Sequence, residues 1–426
     1  MTSAWVAPTA PVPLDALVDV PGSKSLSNRY LVLAALADGP SRLRGILDSR
    51  DTRLMAGALR ALGTAVREES RDWFVVPAPL RGNATVDCGL AGTVMRFLPP
   101  VAALAQGPVR FDGDVQAYAR PMGPVLEALR ALGVRVDDHG EPGRLPFTVH
   151  GRGALPGGSV DVDASGSSQF VSGLLLAGAR YGRGLTVRHT GPTLPSLPHI
   201  EMTVEVLRAA GVDVDDSRPG IWRVAPGAVT GRDVRVEPDL SNAAPFLAAA
   251  MVARGTVRVP GWPTTTTQPG ALLPGLLERM GARTALAGGV LAVTGTGAVH
   301  GIDADLRAAS ELVPTIAALA VLADSPTRLR GIAHMRGHET DRLAALATEI
   351  TARGGWAQQT SDGLVITPRP LTGGLWHAYA DHRMATAGAL IGLAVPGVQV
   401  DDIEATAKTL PGFVGLWTRM LGAPAW

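Results

Sequence analysis

Three short segments in the first half of the chain have the composition of anion-binding turns. They are Pro21-Gly-Ser-Lys-Ser-Leu-Ser-Asn-Arg29, Leu90-Ala-Gly-Thr-Val-Met-Arg96 and Asp163-Ala-Ser-Gly-Ser-Ser-Gln-Phe170. Each places glycine, hydroxyl groups or a cation ahead of an apolar helical run, where free backbone N–H groups favour an anion. A polar helix cap is the alternative interpretation of each segment. Three such turns together favour one shared polyanionic or polyhydroxylated ligand.

The second half of the chain contributes charged side chains beside predicted helices. His338-Glu-Thr-Asp-Arg342 and Asp381-His-Arg-Met384 each precede a helical run, and Ala407-Lys-Thr409 precedes a proline. Glu311 is an acid in an otherwise apolar segment. A buried carboxyl without a partner acquires a raised pKa, which suits proton transfer. Alternatively, Glu311 is an N-terminal helix acid that the helix dipole stabilises.

The two lysines of the chain, Lys24 and Lys408, both fall within these segments, although Lys and Arg together number 39. Arginine therefore supplies nearly every positive charge. A lysine retained in such a composition marks a position that needs a compact point charge on a thin stem. Chance retention is the alternative interpretation for either lysine alone.

The elements that must position these residues recur along the chain. A strand-like phrase rich in Val, Arg and Gly returns about every 70 residues, which is typical of internal repeats. The six copies begin at Ser41, Pro108, Leu185, Thr256, Thr327 and Gly397. After most copies an apolar-periodic helical stretch ends at a glycine, and a second strand-like run follows. With three copies before residue 235 and three after it, the pattern predicts an α/β fold of two domains with mixed sheets.

Composition and charge exclude several classes of protein. The 426 residues are 46% apolar, and 39 Lys and Arg nearly balance 38 Asp and Glu, for a formal net charge of +1. That balance argues against binding to nucleic acid or a membrane surface through bulk charge. The single cysteine, Cys88, allows no intramolecular disulfide and no cysteine-based zinc cluster. Without a signal-like N-terminus or a long apolar run, the expectation is a soluble cytoplasmic protein.

Taken together, these segments resemble the 3-phosphoshikimate 1-carboxyvinyltransferases (EPSP synthases), and the resemblance covers essentially the whole chain. The motifs that carry it are Gly22-Ser-Lys-Ser-x-Ser-Asn-Arg29, Ala91-Gly-Thr-x-Met-Arg96, Arg120-Pro121, Ser167-Ser-Gln169, Glu339-Thr-Asp-Arg342, Asp381-His-Arg-Met384 and Ala407-Lys-Thr409. The resemblance implies the two-domain enolpyruvyl-transferase fold, in which each domain holds three βαβαββ units. One domain would comprise residues 1–18 and 236–426 and the other residues 19–235, with the active site in the cleft between them.

Enzymes of this family transfer the enolpyruvyl group of phosphoenolpyruvate to the 5-hydroxyl of shikimate 3-phosphate and release phosphate. The reaction is a step of the shikimate pathway, which leads to chorismate and the aromatic amino acids. The resemblance therefore implies addition and then elimination through a tetrahedral intermediate. It also implies small-molecule substrates, a monomer, no organic cofactor and no metal.

The resemblance assigns roles to individual residues as well. The residues expected to bind shikimate 3-phosphate are Lys24, Ser25, Arg29, Ser167, Ser168, Gln169, Ser196, Glu311 and His338. Those expected to bind phosphoenolpyruvate are Lys24, Gly92, Arg120, Gln169, Arg342, Arg383 and Lys408. The expected catalytic residues are Glu311, Glu339, Lys24 and Lys408, and the expected supporting residues are Thr93, Arg96 and His382.

Two departures from the common family pattern concern charged positions. Glu311 stands where aspartate is usual, which retains the carboxylate with one more methylene. His338 stands where lysine is usual, so a group that titrates near neutrality replaces a fixed charge. The hypothesis that follows is an affinity for phosphoenolpyruvate that falls as the pH rises.

Two other functions stay open at this point. UDP-N-acetylglucosamine enolpyruvyl transferase is a relative with the same fold and donor, but it typically carries a cysteine in the loop before a Pro-Arg pair. Here no cysteine lies near Arg120 in the sequence. The other possibility is a non-catalytic relative that binds anions, although the intact carboxylates Glu311 and Glu339 speak against lost chemistry.

Overall fold

The computed structural model describes residues 4–10 and 12–422. Within them the strands are β1 (Trp5–Val6), β2 (Asp15–Leu17), β3 (Ser41–Arg44), β4 (Ala65–Glu69), β5 (Asp72–Val76), β6 (Ala84–Asp87), β7 (Gln106–Asp112), β8 (Arg135–Asp138), β9 (Phe147–Arg152), β10 (Gly158–Val162), β11 (Leu185–His189), β12 (Val214–Arg218), β13 (Ile221–Val224), β14 (Asp233–Arg235), β15 (Thr256–Pro260), β16 (Arg283–Ala287), β17 (Val290–Thr294), β18 (Asp303–Asp305), β19 (Thr327–Arg330), β20 (Trp356–Gln359), β21 (Leu364–Thr367), β22 (Gly374–Trp376) and β23 (Val398–Val400). The α-helices of the same residues are α1 (Lys24–Ala35), α2 (Arg50–Ala61), α3 (Gly92–Ala102), α4 (Gly123–Ala131), α5 (Gln169–Gly178), α6 (Leu197–Ala209), α7 (Leu240–Val252), α8 (Leu273–Arg279), α9 (Val313–Ala320), α10 (Arg342–Ala352), α11 (His382–Gly392) and α12 (Phe413–Met420). Short 3₁₀ helices span Val115–Ala119, Pro269–Leu272, Ser310–Leu312, Ala333–Gly337 and Ile403–Lys408.

Over the described residues the chain divides into two compact units, each with its own apolar core. The terminal unit comprises the chain up to Pro21 and from Glu237 onward, and the central unit comprises Gly22–Val236. The chain leaves the terminal unit slightly later than the sequence predicts. The reason is that Pro21 still bonds within that unit, because its carbonyl accepts from the Asp239 N–H at 2.9 Å.

One βαβαββ unit is complete in the middle of the central unit. Its chain order is β6, α3, β7, α4, β8 and β9, and its sheet order is β6-β7-β9-β8. β6 and β7 are parallel because α3 crosses over between them, whereas β9 is antiparallel to both β7 and β8. β10–β13 with α5 and α6, and β18–β21 with α9 and α10, follow the same order. The predicted repeating α/β fold is therefore confirmed.

Other sheets are completed by strands from distant parts of the chain. β14 lies parallel to β3 and supplies the first strand of the sheet β14-β3-β5-β4. β2 does the same for β15 in the sheet β16-β17-β15-β2. In the sheet β1-β23-β22, β1 pairs antiparallel with β23. The short segments just before the two crossings thus close a sheet in the unit that they leave.

Each recurring phrase of the sequence forms the second strand of its repeat. The phrases lie in β3, β7, β11, β15, β19 and β23. The glycines that end two of the predicted helices also lie where the sequence indicates. Gly133 follows α4 with a φ of +84°, and Gly211 follows α6 with a φ of +82°. This left-handed conformation suits glycine because glycine has no Cβ.

The first helix of each repeat is buried and helps to form the core. In the central unit α1, α3 and α5 pack against one another, and in the terminal unit α7, α9 and α11 do so. The central helices begin at the same end, as two side-chain bonds between their early turns show. Asn28 Nδ2 donates to Thr93 Oγ1 at 2.7 Å, and Arg96 Nη1 donates to Gln169 Oε1 at 2.9 Å. The positive ends of these helix dipoles therefore lie together.

We expect Gly173→Ala to lower the free energy of unfolding by about 2 kcal/mol, because it overpacks the contact between α5 and α3. A Cβ at Gly173 would overlap the Arg96 carbonyl oxygen. Gly57→Ala on α2 is the matched control, since a Cβ there meets no atom within 4 Å. The control gains helix propensity instead. Urea unfolding measures both variants, and equal stabilities would contradict the packing argument.

Candidate functional site

In the central unit the predicted anion-binding turns lie at the N-terminal ends of the core helices. α1 begins at Lys24, and its cap is Ser23, whereas the sequence analysis places the whole segment up to Arg29 ahead of the helical run. Lys24, Ser25 and Arg29 therefore lie on the helix rather than ahead of it. The cations and hydroxyl groups thus share one end of the bundle with the free N–H groups of the first turns.

Lys24 forms an ion pair with a carboxylate that is almost completely buried. Its Nζ lies 3.3 Å from Asp51 Oδ2, and the Asp51 side chain is 2% exposed against 20% for Lys24. Asp51 lies in the first turn of α2, where Ser49 and Thr52 form a capping box. The pair fixes the lysine stem, while the partly exposed ammonium group can still meet a ligand.

Arg29 is buried and bonds to neutral acceptors. Its Nε donates to Thr203 Oγ1 at 2.8 Å, its Nη1 to the Ser25 carbonyl at 3.0 Å and its Nη2 to the His199 carbonyl at 2.8 Å. The guanidinium also lies 5.1 Å from the centre of the Phe97 ring. Burial lowers the pKa of Arg29 to about 9. In this arrangement Arg29 ties α1 to α6, and its predicted contact with shikimate 3-phosphate stays a prediction.

The guanidinium groups of Arg120 and Arg96 lie close to Gly92, the first residue of α3. A Cβ at Gly92 would lie 2.8 Å from Arg120 Nη2 and 3.0 Å from Arg96 Nη1. Arg120 Nη1 donates to the Leu90 carbonyl at 2.9 Å, which holds it beside the turn. Arg96 is held by Gln169 and by the ring of Phe170, whose centre lies 5.2 Å from its guanidinium carbon. Glycine is therefore the residue that lets both cations approach this helix end.

The predicted serines lie at the beginnings of α5 and α6. Ser168 is the cap of α5 and is buried, and the Gln169 N–H donates to Ser167 Oγ at 3.3 Å. Ser196 precedes α6 with a φ of +53°, a conformation that residues other than glycine rarely adopt. Such backbone strain tends to occur at functional positions. Thr93 accepts the hydrogen bond from Asn28 described above and is buried.

In the terminal unit consecutive ion pairs join four residues, which are Lys408, Glu339, Arg342 and Asp381. Lys408 Nζ donates to Glu339 Oε1 at 2.7 Å, and Arg342 Nη2 donates to Glu339 Oε2 at 2.9 Å. Arg342 also donates to Asp381 through Nε at 2.7 Å and through Nη2 at 3.1 Å. Burial alone would lower the pKa of Arg342, but the carboxylates of Asp381 and Glu339 outweigh it and raise that pKa.

His338, which stands where lysine is usual in the family, lies beside Arg342. Arg342 Nη1 lies 2.9 Å from His338 Nδ1, and the ring packs edge-on against His334 at 5.6 Å. Arginine has no acceptor atom, so in this arrangement Arg342 is the donor and Nδ1 of His338 is the acceptor. The hypothesis that affinity for phosphoenolpyruvate falls as the pH rises stays a prediction.

Arg383 and Glu311 complete the charged cluster of the terminal unit, whose other members are Lys408, Glu339, Arg342 and Asp381. The Arg383 N–H donates to Asp381 Oδ1 at 2.9 Å, while its half-buried guanidinium makes no hydrogen bond or ion pair within the described part of the chain. Burial and the nearby Arg342 lower the pKa of Arg383, and Glu311 opposes that shift. His382, the first residue of α11, is buried with Nδ1 3.7 Å from Asp381 Oδ1. Arg383 is therefore a cation that is available to an anionic ligand.

Two carboxylates that the sequence analysis did not select belong to these clusters. Asp381 neutralises Arg342, and Asp51 pairs with Lys24. A signal for Asp51 is present in the sequence, because Arg50-Asp-Thr-Arg-Leu54 echoes Glu339-Thr-Asp-Arg-Leu343. These segments begin α2 and α10, the corresponding second helices of two repeats. Each lysine of the chain thus pairs with an acid at one of the two echoing segments.

Three further features of the described residues concern metal ligands, the single cysteine and membrane helices. No group of three or more His, Cys, Asp or Glu among them could hold a metal ion. Cys88 is buried, and burial followed by the charges of Asp87 and Asp112 raises the pKa of its thiol. Among residues 4–10 and 12–422, no helix is both long and apolar enough to cross a bilayer.

Comparison with known proteins agrees with this arrangement. The family model of EPSP synthase (3-phosphoshikimate 1-carboxyvinyltransferase) matches residues 8–417. The chain belongs to the EPSP synthase family. It is therefore a transferase of enolpyruvyl groups, as the sequence analysis predicts.

Solved structures of the same fold include two of EPSP synthase from Acinetobacter baumannii. The first is 25% identical with a TM-score of 0.80 and covers 98% of this chain and 97% of its own. The second is also 25% identical, with a TM-score of 0.79 and 98% coverage of both chains. The enolpyruvyl transferase NikO from Streptomyces tendae is 21% identical, with a TM-score of 0.76 and coverage of 98% and 97%. NikO thus shares the fold, and the EPSP synthase family is shown by the family model.

We expect Asp381→Asn to lower the free energy of unfolding by about 3 kcal/mol, because it leaves Arg342 buried beside a neutral amide. Asp303→Asn is the matched control, since Asp303 pairs with Arg330 at 2.7 Å but is 54% exposed. Solvent screening makes such a pair weak, so the control should change stability much less. Urea unfolding compares the variants, and equal losses would show that burial of the pair is unimportant.

Proposed function

We propose that this protein transfers the enolpyruvyl group of phosphoenolpyruvate to the 5-hydroxyl of shikimate 3-phosphate, giving 5-enolpyruvylshikimate 3-phosphate and phosphate. The observation that carries the proposal is a lysine–carboxylate pair at the start of a helix in each unit. The pairs are Lys24–Asp51 and Lys408–Glu339, and Arg342 lies beside the second pair. Each substrate has a phosphate and a carboxylate, so the enzyme must neutralise about four acidic groups, for which arginine forks and lysine point charges are suited.

The central unit supplies the groups that suit a polyhydroxylated acceptor. Hydroxyl groups of Ser25, Ser167, Ser168 and Ser196 lie at or near helix N-termini, where donors for phosphate and carboxylate oxygens are plentiful. The Gln169 side chain accepts from Arg96 and keeps its amide NH₂ for a ligand. We assign these groups, with Lys24, to shikimate 3-phosphate.

The donor would be held mainly by cations. We assign Arg342, Arg383 and Lys408 in the terminal unit, and Arg120 and Lys24 in the central unit, to phosphoenolpyruvate. Arg383 is the strongest of these assignments, because its guanidinium has no hydrogen bond or ion pair among the described residues. A carboxylate or phosphate beside it would offset the cost of its burial.

The reaction requires a base for the 5-hydroxyl group of the acceptor and an acid for the methylene carbon of phosphoenolpyruvate. In the addition a base removes the proton of the 5-hydroxyl, the hydroxyl oxygen attacks C2 of phosphoenolpyruvate, and an acid protonates the methylene carbon. In the elimination a methyl proton leaves, the double bond reforms and phosphate departs. We assign Glu311 and Glu339 to these proton transfers, since both lie in the charged cluster of the terminal unit. Lys24 and Lys408 would stabilise the negative charge that develops on the oxygens.

Two alternatives to this function are tested by the same assay. A nucleotide-sugar acceptor is less well supported, because Cys88 is buried and does not offer the loop thiol of that relative. A non-catalytic anion-binding protein is also less well supported, because the carboxylates and both lysines are retained.

We expect the purified protein to release phosphate from phosphoenolpyruvate when shikimate 3-phosphate is present. UDP-N-acetylglucosamine in its place, or no acceptor, should give no release above background. A colorimetric phosphate assay measures the rate in the three reactions. Release only with the nucleotide sugar would transfer the assignment to the relative, and silence in all three would favour the anion-binding protein.

We expect Gly92→Ala to raise KM for phosphoenolpyruvate by about tenfold or more, because the new methyl group displaces the guanidinium groups of Arg120 and Arg96. The flexible ends of both side chains can yield, so the stability of the fold should change little. Steady-state kinetics and urea unfolding separate the two effects. Gly57→Ala, far from this helix end in the sequence, should keep the parent KM. A Gly92→Ala protein with the parent KM would remove Gly92 from the donor site.

A further inference from the structure

A strained turn precedes α11 and therefore lies next to the charged cluster of the terminal unit. Tyr379 and Ala380 have φ values of +56° and +53°. The Asp381 N–H donates to the Ala378 carbonyl at 2.9 Å across them. Positive φ at both central positions is typical of a type I′ turn, which asparagine and glycine usually occupy. Residues with a side chain rarely adopt this conformation, so other contacts must hold the turn.

A buried carboxylate on α10 makes the holding contact. Tyr379 Oη donates to Glu349 Oε1 at 2.7 Å, and the His377 N–H donates to Glu349 Oε2 at 3.1 Å. Glu349 is 2% exposed and has no ion pair within residues 4–10 and 12–422. A carboxylate without a cation is costly to bury. Burial and this hydrogen bond raise the pKa of Tyr379 to about 12.

These contacts close a ring that contains the buried ion pair. Arg342 begins α10, and Glu349 lies about two turns further along the same helix. Glu349 contacts Tyr379, the turn leads to Asp381, and Asp381 returns to Arg342 through two hydrogen bonds. Asp381 also caps α11 by accepting from the Arg383 N–H. The position of the turn thus determines where Asp381 and Arg383 lie relative to Arg342.

We propose that Tyr379 and Glu349 are positioning residues, which together form a clamp that holds Asp381 and Arg383 in the geometry needed to bind the donor substrate. Neither side chain is assigned any contact with a substrate or with the reacting atoms. The proposal rests on the proposed function only for the identity of that donor. The ring of contacts itself can be tested without any substrate.

The first experiment measures Tyr379→Phe, which removes the hydroxyl group and keeps the aromatic ring of the side chain. Loss of one hydrogen bond to a charged group should raise KM for phosphoenolpyruvate by about 3- to 10-fold. KM for shikimate 3-phosphate and kcat should stay within about twofold, because the clamp acts on groups that bind the donor. Hydrogen exchange followed by mass spectrometry should show faster exchange in peptides that cover residues 377–384.

Variants of Glu349 show whether the two residues act as a unit. Glu349→Ala should raise KM for phosphoenolpyruvate at least as much as Tyr379→Phe, and the double variant should be no worse than Glu349→Ala alone. Glu349→Gln keeps an oxygen acceptor and should largely restore the parent value. Tyr181→Phe is the matched control, because Tyr181 donates to the Pro100 carbonyl at 3.0 Å in the core of the other unit. It should reduce stability without changing KM.

Several outcomes would overturn the clamp. They are parent exchange rates and parent KM in Tyr379→Phe, additive effects in the double variant, or an equal rise of KM in Tyr181→Phe. If the parent protein releases no phosphate with shikimate 3-phosphate, the proposed function fails. Hydrogen exchange then still decides whether the clamp holds the turn.

Discussion

The burial of Arg342 is the constraint on which much of the terminal unit depends. Its side chain is 3% exposed, and such a charge is stable only where carboxylates surround it. Asp381 provides that neutralisation from the start of α11, and Glu339 extends it to Lys408. Because each charge in this series of ion pairs offsets the next, α10, α11 and the 3₁₀ helix Ile403–Lys408 are held in one arrangement. Arg383 lies next to this series of ion pairs, and its guanidinium charge is left for a ligand.

The central unit reaches a similar electrostatic result by different means. Arg29 is as buried as Arg342, but its partners are two hydroxyl groups and main-chain carbonyls rather than carboxylates. Burial accordingly lowers the pKa of Arg29, whereas acidic neighbours raise that of Arg342. Three helix N-termini add a positive potential at the same end of the unit. Both units therefore hold a lysine–carboxylate pair, to which the central unit adds hydroxyl groups and helix dipoles and the terminal unit adds a buried arginine between carboxylates.

Backbone strain occurs in both units close to residues of these clusters. Ser196 has a positive φ before α6, and Tyr379 and Ala380 have positive φ before α11. The strain is maintained where surrounding contacts determine the conformation more strongly than local preference does. Around the second turn those contacts are the carboxylate of Glu349 and the cap at Asp381. The same interactions that hold the turn also orient Arg383, so strain and charge are coupled there.

The sequence by itself determined the repeating α/β fold and most residues of the clusters. Strand phrases, helical periodicity and terminal glycines such as Gly133 are local features, and local conformational preferences express them directly. Tertiary structure alone decided that β14 and β2 complete distant sheets, and that Asp51 and Asp381 neutralise Lys24 and Arg342. These outcomes depend on distances between groups far apart in the chain. Pairing, burial and protonation respond to such distances, and no local pattern of residues contains them.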